Sequence, residues 1–306
     1  MAKIIGYQSV PGTPGVFISQ DGVAGTAYFV DSGHADASTS NSGLSWDAPL
    51  STLASAIGKT SANSGDVIFL APGHAETSAV TTGIAVNVAG ISIIGCGVGR
   101  SRPAITAHAS AIDSVTVSAA NVLIENINFV NAASCTAQIN VTAADLTVRN
   151  CIIQQGAAPL MGMTMAAGAD RFLVENTLFV GVAAGPDVGI DLEAHLTDWT
   201  VRDCTFNYSN SDGLDLAGIR CDDKAQEGYV ISNCLFIAMD LCLVDMNSST
   251  DAQCQDGIIS NCHGAMAAAT ANIDTAIDAG GSACIENYAT DLPAEAGGRV
   301  PVATPA

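Results

Sequence analysis

Six short triplets set a polar residue between neighbours that are mostly apolar, and they do so at a regular interval. They are Ile139-Asn140-Val141, Met163-Thr164-Met165, Ile190-Asp191-Leu192, Leu214-Asp215-Leu216, Val244-Asp245-Met246 and Ile273-Asp274-Thr275. The central residues lie 24, 27, 24, 30 and 29 positions apart. With one interval per turn of a repeating backbone, the flanking residues point in and the central ones point out. Asp191, Asp215, Asp245 and Asp274 then share one outward row. Three kinds of chemistry suit such a row. Carboxylates about 5 Å apart on neighbouring coils match the pair of a retaining glycosidase, and two coils apart they approach the inverting separation. On that reading Asp191, Asp215 and Asp245 are catalytic. Alternatively, all four ligate a cation such as Ca²⁺ or meet Lys and Arg of a partner. The third reading is a solvated acidic stripe that keeps the chain soluble.

Other chemistry-bearing residues are sparser. Arg220 stands beside Asp222 and Asp223 in GIRCDD, the best local cation near acids, with a loop salt bridge as the plainer reading. His74 and Glu76 in PGHAET offer an acid/base pair, although their place in a turn near the chain's cap favours a hydrogen-bonded structural role. A glycan site also needs aromatic platforms. Trp46 and Trp199 are the two Trp residues, and Trp199 falls at an inward position.

The elements that position these residues are written in a second repeat. LTVRNCII (146–153) returns as VLIENINF (122–129), FLVENTLF (172–179), WTVRDCTF (199–206) and YVISNCLF (229–236), with weaker echoes at 257–264 and 283–290. The marker residues are Asn126, Asn150, Asn176, Asp203, Asn233, Asn261 and Asn287, at steps of 24, 26, 27, 30, 28 and 26; Gly95 is an earlier member. Self-similarity at this period means a solenoid, propeller or array. The units show period-2 alternation and β-branched residues, and no Leu-x-x-Leu-x-Leu signature. A single parallel β-helix of about eight or more coils remains, with coils about 4.8 Å apart. Val122, Leu146, Phe172, Trp199 and Tyr229 stack inside on one sheet; Phe129, Ile153, Phe179, Phe206 and Phe236 stack inside on the next. The Asn markers form a corner ladder, because Asn tolerates left-handed backbone and its amide bonds along the stack. Cys151, Cys204, Cys234 and Cys262 form a second ladder beside it, read as small buried hydrophobes and not as a redox or metal site.

The sequence divides into an extended arm (1–25), a cap (26–62), the β-helix (63–290) and a Pro/Ala-rich tail (291–306). In the cap, Leu50, Leu53, Ala54 and Ile57 form a short helical stripe between Pro49 and Gly58. With 30 acids against 10 bases the net charge is −20, which excludes tracking of a phosphate backbone and disfavours polyanionic glycans and anionic membranes. No h-region of a signal peptide and no transmembrane segment is read. The ten Cys are expected as free thiols, with no CxxC pair for zinc.

The order TAYFVDSG, GLSWDAPLSTLASAI, GDVIFLAPG and then the repeats resembles the pectate-lyase-like superfamily of right-handed parallel β-helices. LAPGHAET (70–77), VNVAGISIIGCGVGRSRPAIT (86–106) and VSAANVLIENINF (117–129) resemble phage-encoded members described as virion structural proteins, over residues 26–290. The resemblance implies a right-handed coil and a non-enzymatic virion protein, foremost a capsid decoration or cement protein assembled in the host cytoplasm. The implied partners are the major capsid protein or other virion proteins, in a homotrimer, with no nucleic acid, no membrane and no cofactor apart from Ca²⁺ as a candidate. The alternative is a tailspike-type polysaccharide depolymerase using Asp191, Asp215 and Asp245.

Overall fold

The computed structural model describes residues 16–18, 24–78, 83–108, 113–130, 135–156, 161–182, 185, 187–209, 217–221, 224–239, 242–246, 254–266, 277–278, 283–291 and 298–299. About half of them lie in short strands, nearly all of which build three sheets of 11, 10 and 8 strands. Consecutive strands go to different sheets, and each pairs in parallel with its counterpart one repeat away. Thus Leu123–Glu125, Thr147–Arg149 and Leu173–Glu175 are neighbours in the first sheet; Asn128–Val130, Ile152–Gln155 and Leu178–Gly181 in the second; Ala137–Val141, Met161–Met165 and Val188–Leu192 in the third. The chain is a parallel β-solenoid.

Residue type explains why each coil turns where it does. The first-sheet strands are bracketed by two residues with left-handed backbone. The downstream corner holds Asn126, Asn150, Asn176, Asp203, Asn233 and Asn261, all with φ between 50° and 60°. The upstream corner, five residues earlier, holds Asn121, Asp145, Arg171, Asp198, Gly228 and Asp256, also at positive φ. Asn, Asp and Gly adopt this conformation most cheaply, and they fill five of those six upstream positions. Each downstream corner N–H donates to a carbonyl of the next coil, as from Asn126 to Arg149 (3.1 Å), Asn150 to Glu175 (3.2 Å) and Asn233 to Ser260 (3.1 Å). The side-chain amides add a second ladder: Asn150 Nδ2 donates to Asn126 Oδ1 (3.3 Å), Asn233 to Asp203 (3.2 Å) and Asn261 to Asn233 (3.2 Å). Asn126, at the head of this run, donates to the Gly95 and Gly97 carbonyls instead.

The last rung differs from the sequence reading. Ser260 pairs with Ile285 and His263 with Tyr288, so Glu286 takes the corner, with φ 53°. Asn287 shifts by one into the column of the cysteines. There it is buried, its Oδ1 accepts from the Cys262 N–H (2.9 Å) and its Nδ2 donates to the Ile259 carbonyl (2.9 Å). The preference of Asn for left-handed backbone misleads where Glu-Asn replaces the usual order.

The core is the continuous interior of the solenoid. Phe172, Trp199 and Tyr229 stack with ring centroids 5.1 and 4.7 Å apart; Phe179, Phe206 and Phe236 stack at 4.5 and 4.8 Å. These separations equal the coil rise, so parallel pairing itself sets offset-stacking distance. Opposite the Phe column the third sheet carries Gly162, Gly189 and Gly218. A Cβ at Gly189 would lie 2.5 Å from the Gly218 carbonyl and 2.7 Å from the Phe206 ring, so the phenyl rings occupy the space that side chains would need.

At the N-terminal end, Ala24–Val30 joins the first sheet in parallel beside Val67–Leu70, and Val16–Ile18 pairs antiparallel outside it. The predicted cap helix is Leu53–Ile57, with Thr52 as N-cap accepting from the Ser55 N–H (3.2 Å). Its buried residues are Leu53, Ala56 and Ile57; Ala54 is exposed, and Leu50 is buried in a bridge to Val30 instead. At the other end, Gly298–Arg299 turns back antiparallel on Tyr288–Asp291.

Candidate functional site

The outward row of the third sheet is the sequence's strongest candidate for chemistry. Its register runs Thr116, Asn140, Thr164, Asp191, Arg220, Asp245, Asp278. Asn140, Thr164, Asp191 and Asp245 stand where the triplets predicted. The position expected for Asp215 belongs to Arg220, and that expected for Asp274 belongs to Asp278. Asp215 and Asp274 themselves lie outside the described residues. The physical reason is that Leu214-Asp215-Leu216 and Ile219-Arg220-Cys221 are both apolar–polar–apolar, and period-2 patterning cannot choose between two such triplets in one coil.

The substitution of Arg220 for a fourth acid changes the row's chemistry. Arg220 Nε donates to Asp191 Oδ1 (3.1 Å) and Nη2 to Oδ2 (2.8 Å), a two-pronged fork. The Asp191 side chain is 1% exposed and that of Arg220 18%. Asp191 is therefore buried although it points away from the solenoid interior. Both its oxygens accept from Arg220, so neither is free to activate water or protonate a leaving group. Arg220 also departs from its expected place in a loop pair with Asp222 and Asp223, which lie outside the described residues. Two coils from Asp191 toward the N-terminus, Asn140 Nδ2 donates to Asp113 Oδ2 (2.9 Å). Asn140 and the Asp191–Arg220 fork are thus held in polar pairs. Among the described residues, no group of three or more His, Cys, Asp or Glu is placed to hold a metal ion.

The outward face of the first sheet is paired in the same manner. Arg149 Nη2 donates to Glu125 Oε2 (2.7 Å), and Arg202 donates to Glu175 through Nε and Nη2 (3.0 and 2.6 Å). At the upstream corner Arg171 forks onto Asp145 at 2.8 Å through both prongs. The Arg171 guanidinium, chiefly through its hydrogen bonds, holds the Asp145 carboxyl below its usual range.

His74 and Glu76 meet, with Nε2 3.3 Å from Oε2, and both side chains are buried. The Ser32 N–H donates to His74 Nδ1 (3.0 Å), which makes Nε2 the protonated nitrogen and Glu76 its acceptor. Glu76 Oε2 also accepts from the Leu53 N–H at the start of the cap helix (2.7 Å). The Ser32 hydroxyl faces the Ala75 backbone and not the imidazole. The cluster ties cap to first coil, and among the described residues no nucleophile is aligned on the base.

The cysteine column is closed to chemistry. Cys151, Cys204, Cys234 and Cys262 are buried, and each thiol donates to the carbonyl two residues before it, at 3.2 to 3.5 Å. Thr177, at the same place in its coil, makes the same bond with its hydroxyl (3.1 Å). Burial pushes the Cys151 thiol up to about 12. Cys234 and Cys262 are raised too, first by a hydrogen bond with the thiol of the coil before, then by burial. Sequence reasoning missed one close pair: Cys221 and Cys254, both buried, with sulfurs 3.8 Å apart. The two Trp residues divide as expected, Trp199 fully buried and Trp46 37% exposed, where Trp46 packs 4.6 Å from Phe29.

No protein-family model matches the chain, and no curated protein matches it in sequence. Solved structures do. A pectate lyase, Pel9A, is similar over 88% of this chain and 78% of its own, at 15% identity and a TM-score of 0.55. An alginate lyase from Paenibacillus sp. str. FPU-7 is similar over 79% of this chain and 93% of its own, at 15% identity and a TM-score of 0.51. A phage open reading frame, Geobacillus virus E2 ORF18, is similar over 78% and 57% at 13% identity; its TM-score of 0.36 adds nothing to the fold assignment. At these identities the likeness is one of architecture, and the chain has the parallel β-solenoid fold of pectate-lyase-like proteins.

Proposed function

We propose that this chain is a non-enzymatic structural protein of a phage particle, a homotrimeric decoration protein seated on the capsid shell. The observation that carries the reading is the fork between Arg220 and buried Asp191, which engages the best-placed carboxylate of the outward row in a structural pair. The resemblance of the phrases at 70–77, 86–106 and 117–129 to phage virion β-helices supports a place on a particle. The charge of −20 suits a basic surface on the shell as the docking partner. The test is immunogold labelling of intact virions with an antibody to this chain. Label over the head is the expected result; label confined to the tail overturns the capsid assignment.

A second reading, a polysaccharide depolymerase, draws support from the names of two fold neighbours, a pectate lyase and an alginate lyase. Under it, the acids that the sequence offers are Asp191, Asp215 and Asp245, of which Asp191 is bound by Arg220. The purified chain is incubated with host surface polysaccharide, and new reducing ends or unsaturated products are measured. Cleavage that disappears in Asp245→Asn would replace the structural reading with this one; no cleavage is the outcome that the structural reading requires.

A further inference from the structure

Two of the three outward faces carry charge: the first sheet shows Glu125, Arg149, Glu175 and Arg202, and the third shows Asp191, Arg220 and Asp245. The second sheet is different. Its inward positions are Ile105, Phe129, Ile153, Phe179, Phe206 and Phe236, all buried. The residues on either side of these in each strand therefore point out. From Ala75–Thr77 to His263–Met266, eight strands in parallel register, no outward position holds Asp, Glu, Lys or Arg. Several hold large aliphatic side chains instead: Val130, Ile152, Leu178, Val180, Leu235 and Ile237. Leu235 is 42% exposed, and Val182, just past its strand, 43%. Eight strands at about 4.8 Å make a stripe about 34 Å long.

We propose that this stripe is where the chain docks against further copies of itself. The argument is electrostatic as much as hydrophobic. Two copies each carrying −20 repel where their carboxylates approach within the screening length of about 8 Å. A face with aliphatic columns and no carboxylate is the one that lets like copies touch at least cost, and removing its side chains from water supplies the attraction. A basic partner such as the shell would be drawn to carboxylates, and these eight strands turn none outward. The inference deepens the homotrimer of the proposed function and rests on it, but not on the capsid assignment.

The test is the mass of the purified chain by light scattering on a sizing column, at low and high salt, with far-UV circular dichroism as the fold control. The wild type is expected as a multimer that persists or strengthens with salt, because salt screens the repulsion and does not weaken apolar contact. Leu178→Glu with Leu235→Glu is expected to give the single-chain mass of 30.9 kDa with an unchanged dichroism spectrum. Ile258→Glu, equally exposed but on the first sheet, should leave the multimer intact. If the double variant fails to fold, Thr205→Arg, a polar replacement on the same face, takes its place with the same expectation. A monomeric wild type at high salt overturns the proposal, and so does a multimer that survives the second-sheet charges or dissolves with Ile258→Glu. A dimer lost through the second-sheet variants would keep the docking face and overturn the trimer; a trimer held by another face would do the reverse.

Discussion

At the scale of single residues the solenoid depends on a few backbone conformations and one buried ion pair. Asn233 sits at φ 55° and bonds Asp203. A β-branched side chain there faces the left-handed penalty, so Asn233→Val is expected to lose about 1–3 kcal/mol. Asn233→Gly keeps the conformation and forfeits two exposed side-chain hydrogen bonds, to Asp203 and from Asn261, a loss of about 1 kcal/mol. Urea unfolding of both variants checks the ranking; equal losses would mean that the amide and not the backbone matters. Asp191 and Arg220 make a sharper case. Arg220→Met leaves a carboxylate buried without its cation, and the expected loss is about 3–5 kcal/mol. Asp191→Leu combined with Arg220→Met removes both charges and should recover most of it. A double variant as unstable as the single one would show that the fork is not what Arg220 contributes.

At the scale of the element, coil spacing was legible and coil register only partly so. The Asn-Cys phrases fixed the corner columns because left-handed backbone selects few residue types and the inward aromatic columns repeat beside them. The same selectivity produced the error at Glu286 and Asn287, where the favoured residue stands one place late. The upstream corner left a usable signal, Asn121, Asp145, Asp198, Gly228 and Asp256 at coil intervals, but Arg171 breaks the pattern and two of its members end or begin unrelated words. The third-sheet row was half legible: alternation identified its outward character, and the extra residues before Ala217–Cys221 hid which triplet filled it. Packing yields two further predictions. Gly189→Ala forces a methyl group against the Phe206 ring and the next coil's carbonyl, and is expected to lose about 1–3 kcal/mol in thermal or urea unfolding. The cysteine column should stay unlabelled by Ellman's reagent near the ordinary thiol value of about 8.5 and react only after denaturant is added. Because folding raises Cys151, Cys234 and Cys262, with Cys151 at about 12, their contribution is complete below about 8.5 and declines as the pH rises toward the folded value. Prompt labelling of Cys151 or Cys234 in the native chain would contradict the closed column.

At the scale of the whole molecule the stability is that of a stack. Each coil contacts the one before and the one after, so free energy accumulates through nearest neighbours and the ends are the weak points. Hydrogen exchange is expected to show the slowest amides in the central strands, such as Leu173–Glu175 and Thr205–Asn207, with protection falling toward Ala283–Ile285. Uniform protection along the chain would point to an all-or-none unit instead. The His74–Glu76–Leu53 knot and the parallel strand Ala24–Val30 give the N-terminal end more to lose before it opens.

The two left-handed corners hold five residues apart in every coil from Asn121/Asn126 to Asp256/Asn261, and the inward second-sheet residue always follows three later. All the variation in repeat length therefore falls on the remaining side. Such a chain is a ruler with one calibrated edge and one elastic edge. Foreign peptide spliced into the elastic edge would be displayed at intervals of one coil rise without disturbing the spine, whereas a single residue added between the corners would turn every side chain of that rung over.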